Sequence, residues 1–533
     1  MNTWWKERVF YEIYMPSFMD ENGDGLGDFQ GIISKLDYLE DLGIGGVWLT
    51  PFYPSPKVDN GYDISDYCDI DPAYGNLDIF KKFVCEANKR DIKVVIDIVL
   101  NHTSNKHKWF IEAKSSKENE KRDFYIWKEN NNNQTPNNWE SFFGGSAWEL
   151  DDNSNEYYYH AFAKEQVDLN WSNPKVLEEM KKVLKFWMDL GIDGFRFDVI
   201  NFLKVNGSFN DNPLDDSGKQ DHIYDKDQDG VLDVIRELVK FIKGYKNVFL
   251  IGEVGSEDLN ILEKYCGKDL LDVVFNFNLG SQNEFNSKMI FKEIENMNKK
   301  YDDYQYPTLF FGSHDMPRFI SRFSKGKEAN KVSRAISTLM LTAKGVPFIY
   351  YGDEIGMTDL KCKDINNMND IQGRNFYNLA INNGKSYEEA LEIANRESRD
   401  KSRSPMQWNN DINYGFSKNN PWIYIRDRED RNCVSTQVDD PSSLLSHYKK
   451  LIEIRKKYKA LQFGDYSKLA LENDVLIYIR EYENEKIKIV INLSKEIVEV
   501  NIVGEILMTT SELDIRNKII KLNELEMFIE KLN

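Results

Sequence analysis

Eight short apolar runs recur along this 533-residue chain, most of them separated by segments of helical periodicity. The runs span residues 8–14, 45–50, 93–100, 193–197, 248–251, 271–275, 308–311 and 347–351, and amphipathic stretches fall at 32–42, 77–90, 175–190, 231–243, 285–299 and 330–342. The 93–100 run is almost entirely β-branched or apolar, which suits a strand buried on both faces. Strands alternating with helices make a parallel sheet, and eight is the number that closes a (β/α)8 barrel. The alternation breaks between 102 and 168, where Asn, Ser, Trp and Tyr dominate; inside a barrel, so long an interruption reads as a subdomain inserted over one face. From about 460 the pattern changes to short alternating strands at 475–480, 486–491 and 497–503, as in a separate antiparallel domain. The predicted organisation is therefore an α/β TIM barrel over 1–101 and 169–459, an inserted subdomain over 102–168 and a C-terminal β-domain over 460–533. A polar stretch at 353–400 gives no element, and a helix is predicted at 444–458.

Four of the strand-like runs end in acidic or histidine side chains: Asp97 with Asn101 and His102, Arg196 with Asp198, Glu253, and Ser313, His314 and Asp315. Residues at the C-terminal ends of barrel strands face one shared mouth. Carboxylates gathered there suit glycosidic-bond cleavage, which needs one ionised and one protonated carboxyl group. Arg196 lies two residues before Asp198, so strand geometry sends both side chains into the mouth, where the cation favours the ionised carboxylate. A purely structural ion pair is the equal alternative on that pattern alone. Glu253 follows an apolar strand and a glycine, a setting that raises a carboxyl pKa and suits a general acid. A solvated glutamate is common among the chain's 88 acidic residues. His102 and His314 could donate to hydroxyl oxygens as neutral rings, and two of only six histidines stand at these strand ends.

The formal charge of −19 argues against nucleic acid or an anionic membrane surface as partner, since both attract basic patches. Hydrophobic residues at 41% and aromatics at 13% suffice for a large core and a ring-lined pocket. The N-terminus has no basic segment followed by an apolar run, no stretch approaches a membrane span, and five scattered cysteines lack metal-site spacing. A cytoplasmic protein, monomeric or weakly self-associating, is expected, acting on a small oligosaccharide.

In order and spacing, these four segments resemble the α-amylase superfamily of retaining glycoside hydrolases (glycoside hydrolase family 13). So do the stretches 46–51, 166–170 and 345–354. The opening Trp4 and Trp5, the stretch 59–63 and the stretch 398–408 resemble its oligo-1,6-glucosidase branch. The resemblance implies that Asp198 is the nucleophile, Glu253 the acid/base and Asp315 the transition-state stabiliser. It implies a pocket for the non-reducing-end glucose formed by Asp59, Tyr62, His102, Arg196, His314 and Arg399, with Gln166 at its rim. Asp59 and Arg399 would close that pocket and make the enzyme exo-acting, while Asp97 would be structural support. Val199, after the nucleophile, accompanies α-1,6 activity in this branch, by steric control of the leaving group, and trehalose-6-phosphate hydrolases share it. Ser313 departs from the usual Asn, so altered pocket detail with retained catalysis is expected. The resulting expectation is a retaining exo-α-glucosidase for isomaltose and short α-1,6-linked oligosaccharides. Trehalose-6-phosphate hydrolase, an α-1,4-preferring glucosidase and a glucosyl-transferring sucrose or trehalose isomerase are the close alternatives. A catalytically dead sugar-binding barrel is the alternative of another class, disfavoured because all three acids, Arg196 and both histidines are present.

One further loop has ligand-like spacing. Asp20, Asn22, Asp24 and Asp28, with the Leu26 carbonyl, place oxygens at alternate positions as in the first half of a calcium loop. The branch carries a calcium loop at this place, so structural Ca2+ is expected, with no organic cofactor. A second candidate at Asp225, Asp227 and Asp229 has Arg236 where a bidentate Glu is needed, and a solvated turn is expected there.

Overall fold

A computed structural model describes residues 3–532 except 217, 302–304, 325–327, 426–431, 512 and 515–517. Eight strands form the barrel: β1 (Phe10–Ile13), β2 (Gly46–Leu49), β3 (Lys93–Val99), β4 (Gly194–Asp198), β5 (Phe249–Gly252), β6 (Val273–Val274), β7 (Thr308–Leu309) and β8 (Val346–Tyr350). All neighbours are parallel, in the order β6-β5-β4-β3-β2-β1-β8-β7. Strand pairing is missing only at the β6–β7 seam among the described residues. There the Thr308 hydroxyl donates to the Val274 carbonyl at 3.1 Å and accepts from the Asn276 amide at 3.1 Å.

Period-two alternation sorts the barrel interior into layers. At the bottom, Phe10, Trp48, Val95, Phe249, Ile251, Val273 and Phe348 form a closed apolar plug, with Phe10 stacked on Phe249 and on Phe348 at 5.1 Å. Two glycines make room for these rings. A Cβ on Gly46 would stand 2.6 Å from the Phe10 ring, and one on Gly194 would stand 2.8 Å from Val95. Two residues further along the same faces come Glu12, Asp97, Arg196 and Glu253, and Asp198 follows Arg196. The apolar plug thus becomes a charged layer at the strand C-termini.

Helices pack outside by the predicted apolar spacing. Pro174–Asp189 begins with proline behind an Asn173 cap and buries Val176, Met180, Val183, Leu184 and Trp187 against the sheet. The helix predicted at 32–42 is two, Phe29–Ser34 and Leu36–Leu42, broken at Lys35. The polar stretch 353–400 holds a helical pair that periodicity did not reveal, Ile371–Asn382 and Tyr387–Glu397. Their fully buried positions are the small residues Gly373, Ala380, Ala390 and Ala394, which allow close contact without a large apolar stripe.

The 102–168 segment carries a three-stranded antiparallel sheet of Trp127–Glu129, Glu156–Tyr159 and Trp148–Asp151. A two-stranded ladder, His102–Ser104 with Gln166–Asp168, ties both its ends to the barrel mouth. Beyond residue 464 lie a five-stranded and a three-stranded antiparallel sheet, sharing a core of Val475, Val490, Ile520, Leu522 and Phe528. Buried Arg480 joins this domain to the barrel through carbonyls, donating to Thr342 and to Gly464.

Candidate active site

Arg196 organises the mouth. One terminal nitrogen lies 2.6 Å from Asp198 Oδ1 and 2.9 Å from Asp97 Oδ1, and the other pairs with Glu253. A single guanidinium fork therefore brackets Asp198 and Glu253. The main chain fixes the same pair from below. The Glu253 amide donates to the Phe197 carbonyl, and the Ile200 amide to the Glu253 carbonyl, both at 2.9 Å. Asp97 also accepts from the Tyr62 hydroxyl at 3.0 Å and from Trp48 Nε1 at 3.3 Å, a fully buried support for Arg196.

Val199 adopts a left-handed backbone, φ 36° and ψ 48°, which is strained for a β-branched residue. The strain is tolerated because the following turn, Ile200–Phe202, is pinned to the carbonyl of Glu253. That turn aims the Val199 side chain at the rim of the pocket, beside Asp198 and Glu253.

Asp315 sits among cations. Its carboxylate lies 2.8 Å from His314 Nε2, 2.8 Å from Arg403 and 3.5 Å from Arg399. His314 stacks on Tyr62 with centroids 5.4 Å apart, and its Nδ1 meets Glu12 Oε1 at 2.6 Å. Ser313 is buried, and its hydroxyl accepts the Asp315 amide at 3.3 Å, capping the turn that presents Asp315.

The far end of the pocket is closed by ion pairs. Arg399 lies 2.6 Å from both Asp59 and Asp370, and Gln166 Nε2 donates to Asp59 at 3.0 Å. Gln166 also touches His102 Nε2 at 3.1 Å; the two-stranded ladder pairs His102 with Asp168 and Ser104 with Gln166, which sets His102 and Gln166 diagonally on one face. Asp59, His102, Gln166 and Arg399, with Phe143, Phe162 and Gln372, line a cavity of about 180 Å3, room for one sugar ring. All eleven expected catalytic and binding residues converge on this one place.

Burial and neighbouring charge separate the protonation states. Burial pushes Glu253 up to about 7, against the pull of Arg196 and with the charges of Asp198 and Asp315 adding to the rise. Burial also raises Asp198, to about 6, again opposed by Arg196. Asp315 goes the other way: despite burial, His314, Arg403 and Arg399 hold it well below the usual carboxylate range. His102 is driven down to about 3 by burial and is neutral, as expected. His314 corrects the expectation of a neutral ring. Burial would lower it, but Asp315 and Glu12 outweigh that and raise it to about 9, so it is an imidazolium. The set can hold a sugar ring by its hydroxyls, present one ionised carboxylate and offer a second that is partly protonated near neutral pH.

Sequence reasoning passed over Glu12, Asp370 and the aromatic wall. Glu12 had a readable signal, an acid at an inward position of an apolar strand. Asp370 had a weaker one: Arg399 and Arg403, four apart, need a shared acid, and Asp370 lies 2.6 Å from the first and 3.9 Å from the second.

The loop at 20–28 has the donor types of a calcium site, but its oxygens are turned to the backbone. Asp20 accepts the amides of Gly23 and Gly25 at 2.6 and 2.8 Å, and Asp28 accepts those of Glu21, Asn22 and Gly31. Asn22 and Asp24 accept from Asp24 and Leu26 at 2.8 Å. Among the described residues no three His, Cys, Asp or Glu side chains converge on a point that could hold a metal. The 225–230 turn is only partly solvated: Asp229 is exposed and Asp227 half-buried. Asp225 is buried and meets His222 Nδ1 at 2.7 Å, and Asp227 accepts from Tyr265 and Asn201, bracing the turn after Val199.

A parallel barrel with three carboxylates, a guanidinium and an imidazolium around a blind pocket the size of one sugar ring defines a carbohydrate-cleaving site. The alpha-amylase catalytic domain model matches residues 12–464. An oligo-1,6-glucosidase of Parageobacillus thermoglucosidasius is 38% identical, over 97% of this chain and 95% of the relative. A trehalose-6-phosphate hydrolase of Escherichia coli (strain K12) is also 38% identical, over 93% and 91%. Among solved structures, an isomaltulose synthase from Klebsiella sp. LX3 superposes with a TM-score of 0.92 at 34% identity, covering all of both chains. The chain belongs to the alpha-amylase family of glycoside hydrolases.

Proposed function

We propose that the protein is a retaining exo-α-glucosidase that releases glucose from the non-reducing end of isomaltose and short α-1,6-linked oligosaccharides. The carrying observation is the bracketing of Asp198 and Glu253 by one guanidinium at the open side of a pocket walled off by Asp59 and Arg399. In this reading Asp198 attacks the anomeric carbon as Glu253 gives its proton to the departing glycosidic oxygen, leaving a glucosyl ester. Glu253, now a carboxylate, takes a proton from water, which cleaves the ester and restores both groups. A shared guanidinium supports the close carboxyl spacing of about 5–5.5 Å that retention requires. Asp315 and the His314 imidazolium hold ring hydroxyls while charge develops, and the Arg399 wall admits a chain terminus only.

Val199 and the oligo-1,6-glucosidase relatives support the α-1,6 choice. A trehalose-6-phosphate hydrolase relative of equal identity supports a second reading, in which a phosphorylated disaccharide is the substrate. Purified protein is offered isomaltose, isomaltotriose, maltose, sucrose and trehalose 6-phosphate, with the first-formed anomer read by proton NMR. Release of α-glucose from isomaltose is expected. Phosphotrehalose cleavage with isomaltose untouched would replace the substrate assignment, and β-glucose as first product would refute retention.

We also propose that Ca2+ binds the 20–28 loop, supported by its alternating carboxylate, amide and carbonyl donors and offset by their present turn toward the backbone. A location in the reducing cell interior is likewise our reading, supported by five scattered cysteines without metal-site spacing; no described helix is long and apolar enough to cross a membrane.

A further inference from the structure

Of the acids in the charged layer, Asp97, Asp198, Glu253 and Asp315 each touch an arginine. Glu12 has none among its described ion pairs; its partner is His314. Glu12 is 1% exposed, and a carboxylate buried so deeply costs several kcal/mol unless a cation answers it.

Hydrogen-bond accounting fixes the state of that cation. The Tyr62 hydroxyl has one proton and two close neighbours, Asp97 Oδ2 at 3.0 Å and His314 Nε2 at 2.6 Å. Asp97, paired with Arg196, only accepts, so Tyr62 donates to it and receives from Nε2–H. Asp315 Oδ2, 2.8 Å from the same nitrogen, is also an acceptor. On the other edge Nδ1 faces Glu12 Oε1 at 2.6 Å, an oxygen that already receives the His314 main-chain amide at 3.2 Å. Both ring nitrogens therefore face acceptors, and the ring carries both protons. Tyr14 and Tyr62 stack on its two sides and Trp48 meets it edge-on, so the ring has no freedom to turn.

We propose that Glu12 is a positioning residue for Asp315: by taking Nδ1–H it holds His314 as an imidazolium whose positive edge lies 2.8 Å from Asp315, which keeps Asp315 an anion. The inference rests on the glucosidase reading for its kinetic arm alone. Every charged group around the ring enters the balance. Glu12 faces it from β1, Asp97 from β3, Glu253 from β5, and Asp315 adjoins it in the chain. Arg403 donates to the His314 carbonyl at 2.8 Å, and Arg399 stands beyond Asp315. Tyr350 and Asp353 face Glu12 from β8 and the turn after it. His314 stays protonated through neutral pH because two carboxylates flank it, and removal of one lowers the pH at which it lets go of its proton.

The test is Glu12→Gln, which keeps an acceptor of the same shape and removes the charge. In histidine-labelled full-length protein, with the signal assigned by its loss in His314→Gln, the ring is expected to be charged at pH 7. In Glu12→Gln it should titrate at least about one pH unit lower. The same variant should lose kcat by about tenfold or more with KM within about twofold, and Glu12→Asp should restore part of the loss. A wild-type His314 that is neutral at pH 7 would overturn the proposal, and this needs no variant to fold. So would a Glu12→Gln protein with unchanged titration and kcat. A protein inactive on every glucoside would sink the functional reading instead, while the ring titration still decides the pairing.

Discussion

The acids of the mouth differ in protonation because each has different neighbours. In the proposed mechanism Asp198 must be ionised to attack, so activity should fall as pH drops through its value of about 6. Glu253 must be protonated to assist departure, so activity falls as pH rises through about 7. Because the two interact through Arg196, the limbs belong to the pair. We expect kcat/KM to follow a narrow bell centred between those limbs; a flat profile from roughly pH 5 to 9 would contradict the assignment. The residues carrying this chemistry were legible because strand periodicity puts Arg196 and Asp198 on one face and because acids at strand ends are conspicuous. His314 was legible as a position and not as a charge. Its state depends on Glu12, which lies 302 positions away in sequence, and period-two reading of β1 says where Glu12 points without saying what it meets.

Among the elements, the β4 terminus ends in a strained residue. The left-handed Val199 costs about 1–3 kcal/mol by the usual scale for such backbone, and glycine adopts it freely. Val199→Gly should therefore raise stability to denaturant by about 1 kcal/mol while opening the leaving-group side. Isomaltose preference over maltose should shrink in the same variant, measured as the ratio of kcat/KM values. Unchanged stability together with unchanged preference would mean that neither the strain nor the side chain matters. Helices with broad apolar stripes, such as Pro174–Asp189, were legible from spacing. The pair Ile371–Asn382 and Tyr387–Glu397 was not, since alanine and glycine bury little apolar area and leave no broad apolar stripe. That pair matters to the site, because Asp370 caps its first helix through the Gly373 amide and anchors Arg399.

Over the whole molecule, the 20–28 loop is a joint between distant parts of the chain. The Asp20 amide donates to Phe416, the Trp422 amide to Gly25, and Asn419 reaches the Gly23 carbonyl. If Ca2+ binds there, it stabilises the native state by mass action, about 2.7 kcal/mol at a hundred times its Kd. Added Ca2+ should raise the thermal midpoint and chelator should lower it, and Asp20→Ala should abolish the response. A midpoint indifferent to both additions would remove calcium from the description. The three-part layout was readable from changes in pattern along the chain. The arginine-to-carbonyl ties between barrel and C-terminal sheets were not, because carbonyl acceptors leave no mark in a sequence.

On the proposed exo-acting reading, the Asp59–Arg399–Asp370 wall has a kinetic consequence. A catalyst that reaches sugar only through its terminus counts molecules and is blind to mass. At equal weight, a long glucan presents far fewer termini than a disaccharide, so its turnover per gram falls roughly in inverse proportion to chain length. Each cut also uncovers a fresh terminus, so the concentration of attackable ends stays constant until a chain is exhausted.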